Sequence, residues 1–557
     1  MRYSRLVRTY RKLESTQKTL EKTDIMAELF MEAGEDLQRV VLLCLGRPYP
    51  AWKNAELGIS SKTMMKIIRE ASGASEDRIE DLWREKGDLG SAAEEILESG
   101  GGQQSLMQKE LTVKRVVEKL HRVASMEEES LGSVSMDKKR KEVAALLNDA
   151  GPEEARYLVR TFIENLRLGV GEGLVRDALD QAFFEGQHAE DIQRAYDVTN
   201  DFTTVAEACR EGIEEVRSLE MELFRPVKSM LAKKVETIEE GFETVGKPAA
   251  VDYKYDGMRA QIHSDGDEIK VFTRRLENVT EQFPDVVEAV RDHVDAESYV
   301  LDTEVVGYDP EDGSSIPFQK LSKRIKRKYD IQKLKDQIPV EVRPFDVIYL
   351  DGPILDTEYR ERLDRLEDIV DEEENVLRLA SHERTSEEEE VNRMQQRSLD
   401  EGHEGIMMKN LDAEYKPGSR VGYMVKLKPV METLDLAIIG GEWSEGRRTG
   451  WIGSLRLGCY SEEDDEYREV GKMATGLTDE QLEEITERLK PLIVSEDGRE
   501  VEVRPEVIVE VEYEEIQESP NYSSGYALRF PRLKAFRDDK EEADSLQKVK
   551  ELYEDQN

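Results

Sequence analysis

The hydrophobic period of the chain changes twice, so no single layer architecture accommodates it. To about Glu222 the apolar residues recur at helical spacing: in EARYLVRTFIENLRLGVG, Leu158, Phe162 and Leu166 fall at i, i+4 and i+8 beside Val159 and Ile163. Gly151 and Pro152 are expected to open that helix and Gly169 to close it. From Phe224 onward VDYKYDGMRAQIH, EIKVFTRR, SYVLDTEVVGYD and RPFDVIYLDGP mix β-branched and aromatic residues with turn signals, and acidic helical stretches separate them. After Pro429 the strands shorten (LDLAIIGGEW, SLRLGCYS, PEVIVEVEYEEI) and glycines multiply, as a small β-barrel requires. Three regions follow, 1–222, 223–428 and 429–557, in a chain whose 557 residues exceed what one core usually serves.

Charge restricts the surroundings. With 122 Asp and Glu against 80 Lys and Arg, the net charge of −42 repels DNA, RNA and anionic membranes at ordinary salt. The acid is spread along the chain rather than gathered in a tail, which favours a halophile: in molar salt the Debye length shrinks to about 3 Å and self-repulsion fades. The runs Asp371 to Glu374 and Glu387 to Glu390 read as solvated helix faces. Cys44, Cys209 and Cys459 lie far apart, with neither a CxxC pair nor a zinc spacing, which points to a reducing compartment. No apolar run is long enough to span a bilayer and the N-terminus has no signal-like apolar stretch, so a cytoplasmic location without membrane attachment is expected.

In the middle region VDYKYDGMRAQIH sets Lys254 on a strand just before the turn pair Asp256 and Gly257, so its amine projects at a loop mouth. Such an amine becomes a nucleophile when positive charge pushes it from a pKa of about 10.4 toward the free base. Arg259, Arg274, Lys426, Lys428 or a bound metal would supply that charge. Alone, K-x-D-G reads as a surface lysine beside a β-turn.

Order changes that reading. KYDGMR is followed by VFTRRLENVT (271–280), LDTEVV (301–306), PFDVIYLDG (344–352), EGIMMK (404–409), MVKLKP (424–429) and SGYALRFPRLKAFRDDK (524–540). The series resembles the motifs of covalent nucleotidyltransferases. Over nearly the whole chain it is similar to the ATP-dependent DNA ligases of archaea and eukaryotes. The resemblance implies a multidomain α+β protein: an all-helical N-terminal DNA-binding domain, an α/β adenylation core and a C-terminal OB-fold.

It also implies roles. Lys254 would attack the α-phosphorus of ATP and expel pyrophosphate; the AMP would pass to the 5′-phosphate at a nick, and the 3′-hydroxyl would displace it to seal the strand. Strand alternation turns Glu304 away from Thr303 and Val305 and toward a site. By resemblance it contacts the ribose or a metal, and Glu404 is a second metal carboxylate; hard oxygen ligands shared with phosphates suit Mg²⁺ or Mn²⁺. Phe345 would stack on adenine, and Arg259, Arg274 and Arg420 would donate to ribose and phosphate oxygens. Lys426 and Lys428, two apart, lie on one strand face and reach one phosphate. Arg529, Arg532, Arg537 and Lys540 would orient the leaving pyrophosphate. Asp252 stands where many relatives carry glutamate, and the shorter acid is expected to accept from the adenine amino group.

For DNA, the helical region resembles the domain by which these ligases grip a duplex across its minor groove, with Arg167, Gly169 and Gly171 carried over. KLSKRIKRKYDIQKLK (320–335) is the most basic run and reads equally as a phosphate track or as a solvated helix paired with acids. QQSLMQKELTV resembles a sliding-clamp docking segment through Gln103, Leu106 and Met107, and reads also as a plain interhelix linker. The expected protein is a monomer acting on nicked duplex DNA in replication, recombination and repair. Rival readings are an RNA ligase or capping guanylyltransferase, against which the long helical region argues, and a non-catalytic DNA scaffold, which would form no adenylate.

Overall fold

A computed structural model describes residues 1–53, 57–99, 110–129, 133–311, 313–325, 331–428, 432–540 and 542–555. The chain packs into two compact units. One gathers Met1, Arg8–Glu56 and Leu168–Pro429; the other gathers Arg2–Val7, Leu57–Arg167 and Val430–Asn557.

In the first unit the helices Thr19–Glu32, Leu37–Cys44, Glu172–Phe184 and Phe202–Glu211 pack in pairs. The strands that follow are β1 (Leu231–Val235), β2 (Ala249–Tyr253), β3 (Met258–Ser264), β4 (Ile269–Thr273), β5 (Tyr299–Tyr308), β6 (Ser315–Ile316), β7 (Val340–Leu350), β8 (His382–Thr385), β9 (Ile406–Asn410) and β10 (Arg420–Leu427). They form two sheets. The first runs β1-β10-β9-β2-β8, parallel only between β1 and β10; the second runs β4-β3-β5-β6, with β7 on β5, and is antiparallel. Each has its own core. Phe242, Val251, Met394, Met408 and Val425 close the first, and Phe283, Val290, Leu301, Val347 and Leu363 close the second. Each such side chain contributes about 1.5–3 kcal/mol by leaving water.

VDYKYDGMRAQIH therefore does not stay in one strand. β2 ends at Tyr253 and β3 starts at Met258 in the other sheet, so Lys254 lies one residue past a strand, in the crossover between the sheets, rather than on the strand the sequence suggested. Two neighbours fix this crossover. The Asp256 carboxylate accepts from the Phe318 N–H at 3.1 Å. At Gly257 a Cβ would stand 2.7 Å from Val305 O and 2.8 Å from Glu304 Cγ, so only glycine lets the turn lie this close to β5.

The second unit pairs helices with a β domain. Its helices include Glu76–Lys86, Leu89–Ser99 and Pro152–Phe162. The last opens at Gly151 and Pro152 as expected, but it ends at Phe162 and not at Gly169. Glu164 takes a left-handed φ of 56°, the Asn165 N–H donates back to Arg160 O at 2.8 Å, and the Glu164 carboxylate accepts from the Leu57 N–H at 2.8 Å. A tertiary bond thus stops the helix where its apolar period would carry on. The C-terminal region forms a seven-stranded antiparallel sheet and a separate hairpin, Glu515–Glu518 with Tyr526–Arg529. Leu436, Ile438, Leu457, Val470 and Val509 fill its core with Leu482 and Ile485 of the helix Asp479–Leu489, which starts at a Thr478 and Gln481 capping box.

Candidate active site

The crossover holds Lys254 by its backbone. Its N–H donates to Gly405 O at 2.9 Å, and its carbonyl accepts from the Glu404 N–H at 2.9 Å. Gly405 has a φ of 128°, and a Cβ there would collide with Leu427 O. The loop before β9 is thereby pressed against the lysine. The Lys254 ammonium pairs with the Glu404 carboxylate, which also meets Lys428 at 2.9 Å. With its side chain 22% exposed, Lys254 is packed but still reachable.

Two glutamates beside this amine are driven in opposite directions. Burial works against the charged form of Glu404, but Lys254 and Lys428 overcome it and hold its carboxyl down to about 2. Glu304, on β5, is pushed up to about 8 by burial, with Lys254 and Arg259 opposing and Glu404 adding repulsion. This pair fits a hard divalent cation, whose charge would favour ionisation of both. Among the described residues no cluster of three or more His, Cys, Asp or Glu could hold a metal. A cation on these two acids would share its shell with substrate oxygens and water.

Arg259, Phe345, Tyr359, Lys409 and Tyr415 line part of a narrow recess in the same unit. Phe345 is half-buried on β7, with the Arg259 guanidinium 5.3 Å and the Lys409 ammonium 4.7 Å from its ring centre. Arg259 is fixed by donating two hydrogen bonds to the Asp302 carboxylate, at 3.0 and 2.7 Å, and one to Met230 O at 2.8 Å. Asp302 is fully buried and also accepts from the Tyr415 hydroxyl at 2.6 Å. Asp252, buried on β2, pairs with Lys409 through one oxygen, while its Oδ1 is buried with no hydrogen-bond partner. A buried acceptor left over beside an aromatic face suits a nucleobase amino group. Sequence reasoning passed over Asp302, Lys409 and Tyr415. For Asp302 the signal was available, since it stands two residues from Glu304 on the same strand face.

The other expected residues are spread out. Arg274 is exposed just past β4, its N–H donating to Arg259 O at 3.1 Å; Arg420 is exposed at the start of β10, and Lys426 is half-buried further along that strand. In the basic run Arg324 is buried against Asp285 at 2.7 and 2.8 Å, and Lys335 pairs with Glu288 at 2.6 Å; residues 326–330 lie outside the described residues. In the second unit Arg537 and Lys540 converge on Asp435, whereas Arg529 pairs with Glu515 at 3.0 Å and Arg532 is exposed. Arg167 donates to Gly87 O at 2.5 Å and pairs with Glu445. Gly169 and Gly171, in the first unit, are exposed. Gln103, Leu106 and Met107 lie outside the described residues.

A helical region, a two-sheet α/β core with a lysine in its crossover, and a β-rich C-terminal domain define a class, the nucleotidyltransferases that adenylate polynucleotide ends. Three family models match the chain: "DNA ligase N terminus" over residues 2–180, "ATP dependent DNA ligase domain" over 229–428 and "ATP dependent DNA ligase C terminal region" over 448–540. A DNA ligase of Methanopyrus kandleri is 43% identical, covering 100% of this chain and 99% of its own. Those of Nanoarchaeum equitans and Thermococcus fumicolans are 41% and 42% identical, covering 100% and 99% of this chain and each 98% of its own. Among solved structures, one titled "Pmar-Lig_PreS3" covers 96% of this chain and 99% of its own at 16% identity and a TM-score of 0.59, a likeness of fold. The chain belongs to the ATP-dependent DNA ligase family, and its reaction is the sealing of nicks in DNA.

Proposed function

We propose that Lys254 is the nucleophile of that reaction. The observation that carries this reading is the pairing of its amine, at the sheet crossover, with Glu404, an acid it shares with Lys428. The ammonium gives up a proton to solvent and the free amine attacks the α-phosphorus of ATP; a P–N bond forms as the bond to pyrophosphate breaks. The 5′-phosphate at the nick then takes the AMP from Lys254, and the 3′-hydroxyl displaces AMP to leave a phosphodiester. Lys428 shares the Glu404 charge, which loosens the hold of that acid on Lys254. Glu304 and Glu404 would hold Mg²⁺, which offsets charge at the reacting phosphorus. Arg259, set by Asp302, and Phe345 form the face for ribose and adenine, with Asp252 toward the amino group. Arg274, Arg420 and Lys426 serve the phosphates, and Arg529, Arg532, Arg537 and Lys540 the leaving pyrophosphate.

Residues 1–222, 223–428 and 429–557 act as DNA-binding, adenylation and OB-fold domains, with Arg167, Gly169 and Gly171 on the duplex backbone. The same reading makes the chain a monomer of a halophile's cytoplasm, serving replication, recombination and repair, and docking on a sliding clamp through Gln103, Leu106 and Met107. The spread of acid along the sequence supports the halophile. A sealing assay on a nicked duplex, run with ATP, GTP and NAD across a salt series with and without a chelator, tests it. Sealing with ATP, a divalent cation and high salt is expected; sealing with GTP alone would end the adenylation reading.

A further inference from the structure

Lys22 belongs to the helix Thr19–Glu32, in the polar run TLEKTD, yet it is only 6% exposed. Its ammonium donates to Leu168 O at 2.7 Å. Among the described residues no carboxylate comes within 4 Å of it. One carbonyl for three N–H groups is a poor exchange for hydration, and a buried cation without an acid is costly.

What lies above it is a bare stretch of backbone. Gly169, Gly171 and Gly173 alternate along LGVGEG, and all three are exposed. Gly169 has a φ of 63°, and the space its missing Cβ would fill reaches to within 2.7 Å of the Lys22 Nζ; beside Gly171 and Gly173 that space is open. The acid in this stretch, Glu172, is already neutralised twice, by Lys228 at 2.5 Å and Arg47 at 3.2 Å. A buried ammonium under exposed glycines, with the nearby acid spoken for, is a place for an anion to settle against backbone. In a chain of charge −42 such a cationic spot runs against the trend.

We propose that Lys22 is a DNA-phosphate ligand, receiving one backbone phosphate of the nicked duplex through the gap at Gly169. This rests on the reading of the chain as a DNA ligase and adds a side-chain cation to the backbone contacts proposed at Gly169 and Gly171. It is tested on the full chain by titrating a fluorescent nicked duplex over a KCl series with wild type, Lys22→Gln and Gly169→Ala. Lys22→Gln keeps a donor for Leu168 O but drops the charge. We expect roughly tenfold weaker binding at the lowest salt and a plot of log K against log salt less steep by about 0.9. Melting temperature and labelling by ATP should match wild type. Gly169→Ala, which fills the gap and leaves the charge, should flatten the slope likewise. A wild-type slope in Lys22→Gln would overturn the proposal, whatever the slope of Gly169→Ala. A lysine that only props up Leu168 would lower melting and leave the slope alone. Since the wild-type chain is labelled and titrated alongside, a failure confined to the variants' slopes counts against Lys22 and not against the ligase reading.

Discussion

Lys254 and Glu404 are tied together twice, by a 2.9 Å backbone hydrogen bond from the Glu404 N–H to the Lys254 carbonyl and by the ion pair of their side chains. The first tie does not depend on the carboxylate, so the side chain can be changed without freeing the loop. Glu404→Gln should therefore keep the loop in place, lose some stability because Lys254 and Lys428 lose their acid partner, and lose adenylation by at least about a hundredfold, the scale of removing one group that stabilises the transition state. Rates of AMP labelling, set beside melting curves, check this; labelling at the wild-type rate would remove Glu404 from the chemistry.

Gly257→Ala should act on the same site through packing. Its Cβ would press on Val305 O and Glu304 Cγ, at 2.7 and 2.8 Å, and the turn must shift. A loss of about 1–3 kcal/mol in denaturant unfolding is expected, together with slower labelling, because Glu304 moves with it. Unchanged stability would mean that the crossover is looser than the contacts indicate.

The basic run yields a prediction of the opposite kind. Arg324 is buried, donates two hydrogen bonds to the Asp285 carboxylate, and stacks 4.4 Å from the Phe283 ring centre. Arg324→Met should cost about 3–5 kcal/mol by stranding the acid, while leaving the salt dependence of nicked-duplex binding as it was. A flatter salt slope with intact stability would return Arg324 to the DNA.

Acid should weaken the fold through His263. Burial first, and Lys270 second, push this imidazole down to about 3, and its Nδ1 accepts from the Phe224 N–H at 3.1 Å. The unfolded chain, with an ordinary histidine near 6.5, binds the proton first. The stabilisation is therefore complete above about pH 6.5 and is lost as pH falls toward 3, with a slope approaching 1.4 kcal/mol per pH unit, roughly one proton's worth. His263→Gln should remove that share of the slope; wild type and variant falling in parallel between pH 6 and 4 would contradict it.

Much of this was legible in the residues. L-D-T-E proved to lie on a strand face, E-G-I-M-M-K at the start of a strand and K-x-D-G in the turn between two strands of one two-sheet core, because turn residues and alternation are local properties. Which sheet a strand joins is not local. Hence Lys254 read as a strand residue when it lies between sheets, and the helix from Pro152 read on past Phe162, where Leu57 and Glu164 meet from distant parts of the chain. Partnerships were also hidden. Nothing in the sequence joins Tyr415 to Asp302, 113 residues apart, or marks Lys22 as buried in a run of polar neighbours.

The most direct measurement is intact and peptide mass spectrometry of the full chain after incubation with ATP and Mg²⁺, with Lys254→Ala alongside. One AMP per chain, located on the peptide bearing Lys254 and absent from the variant, is the predicted result. No adduct, or an adduct that persists in Lys254→Ala, would contradict the account.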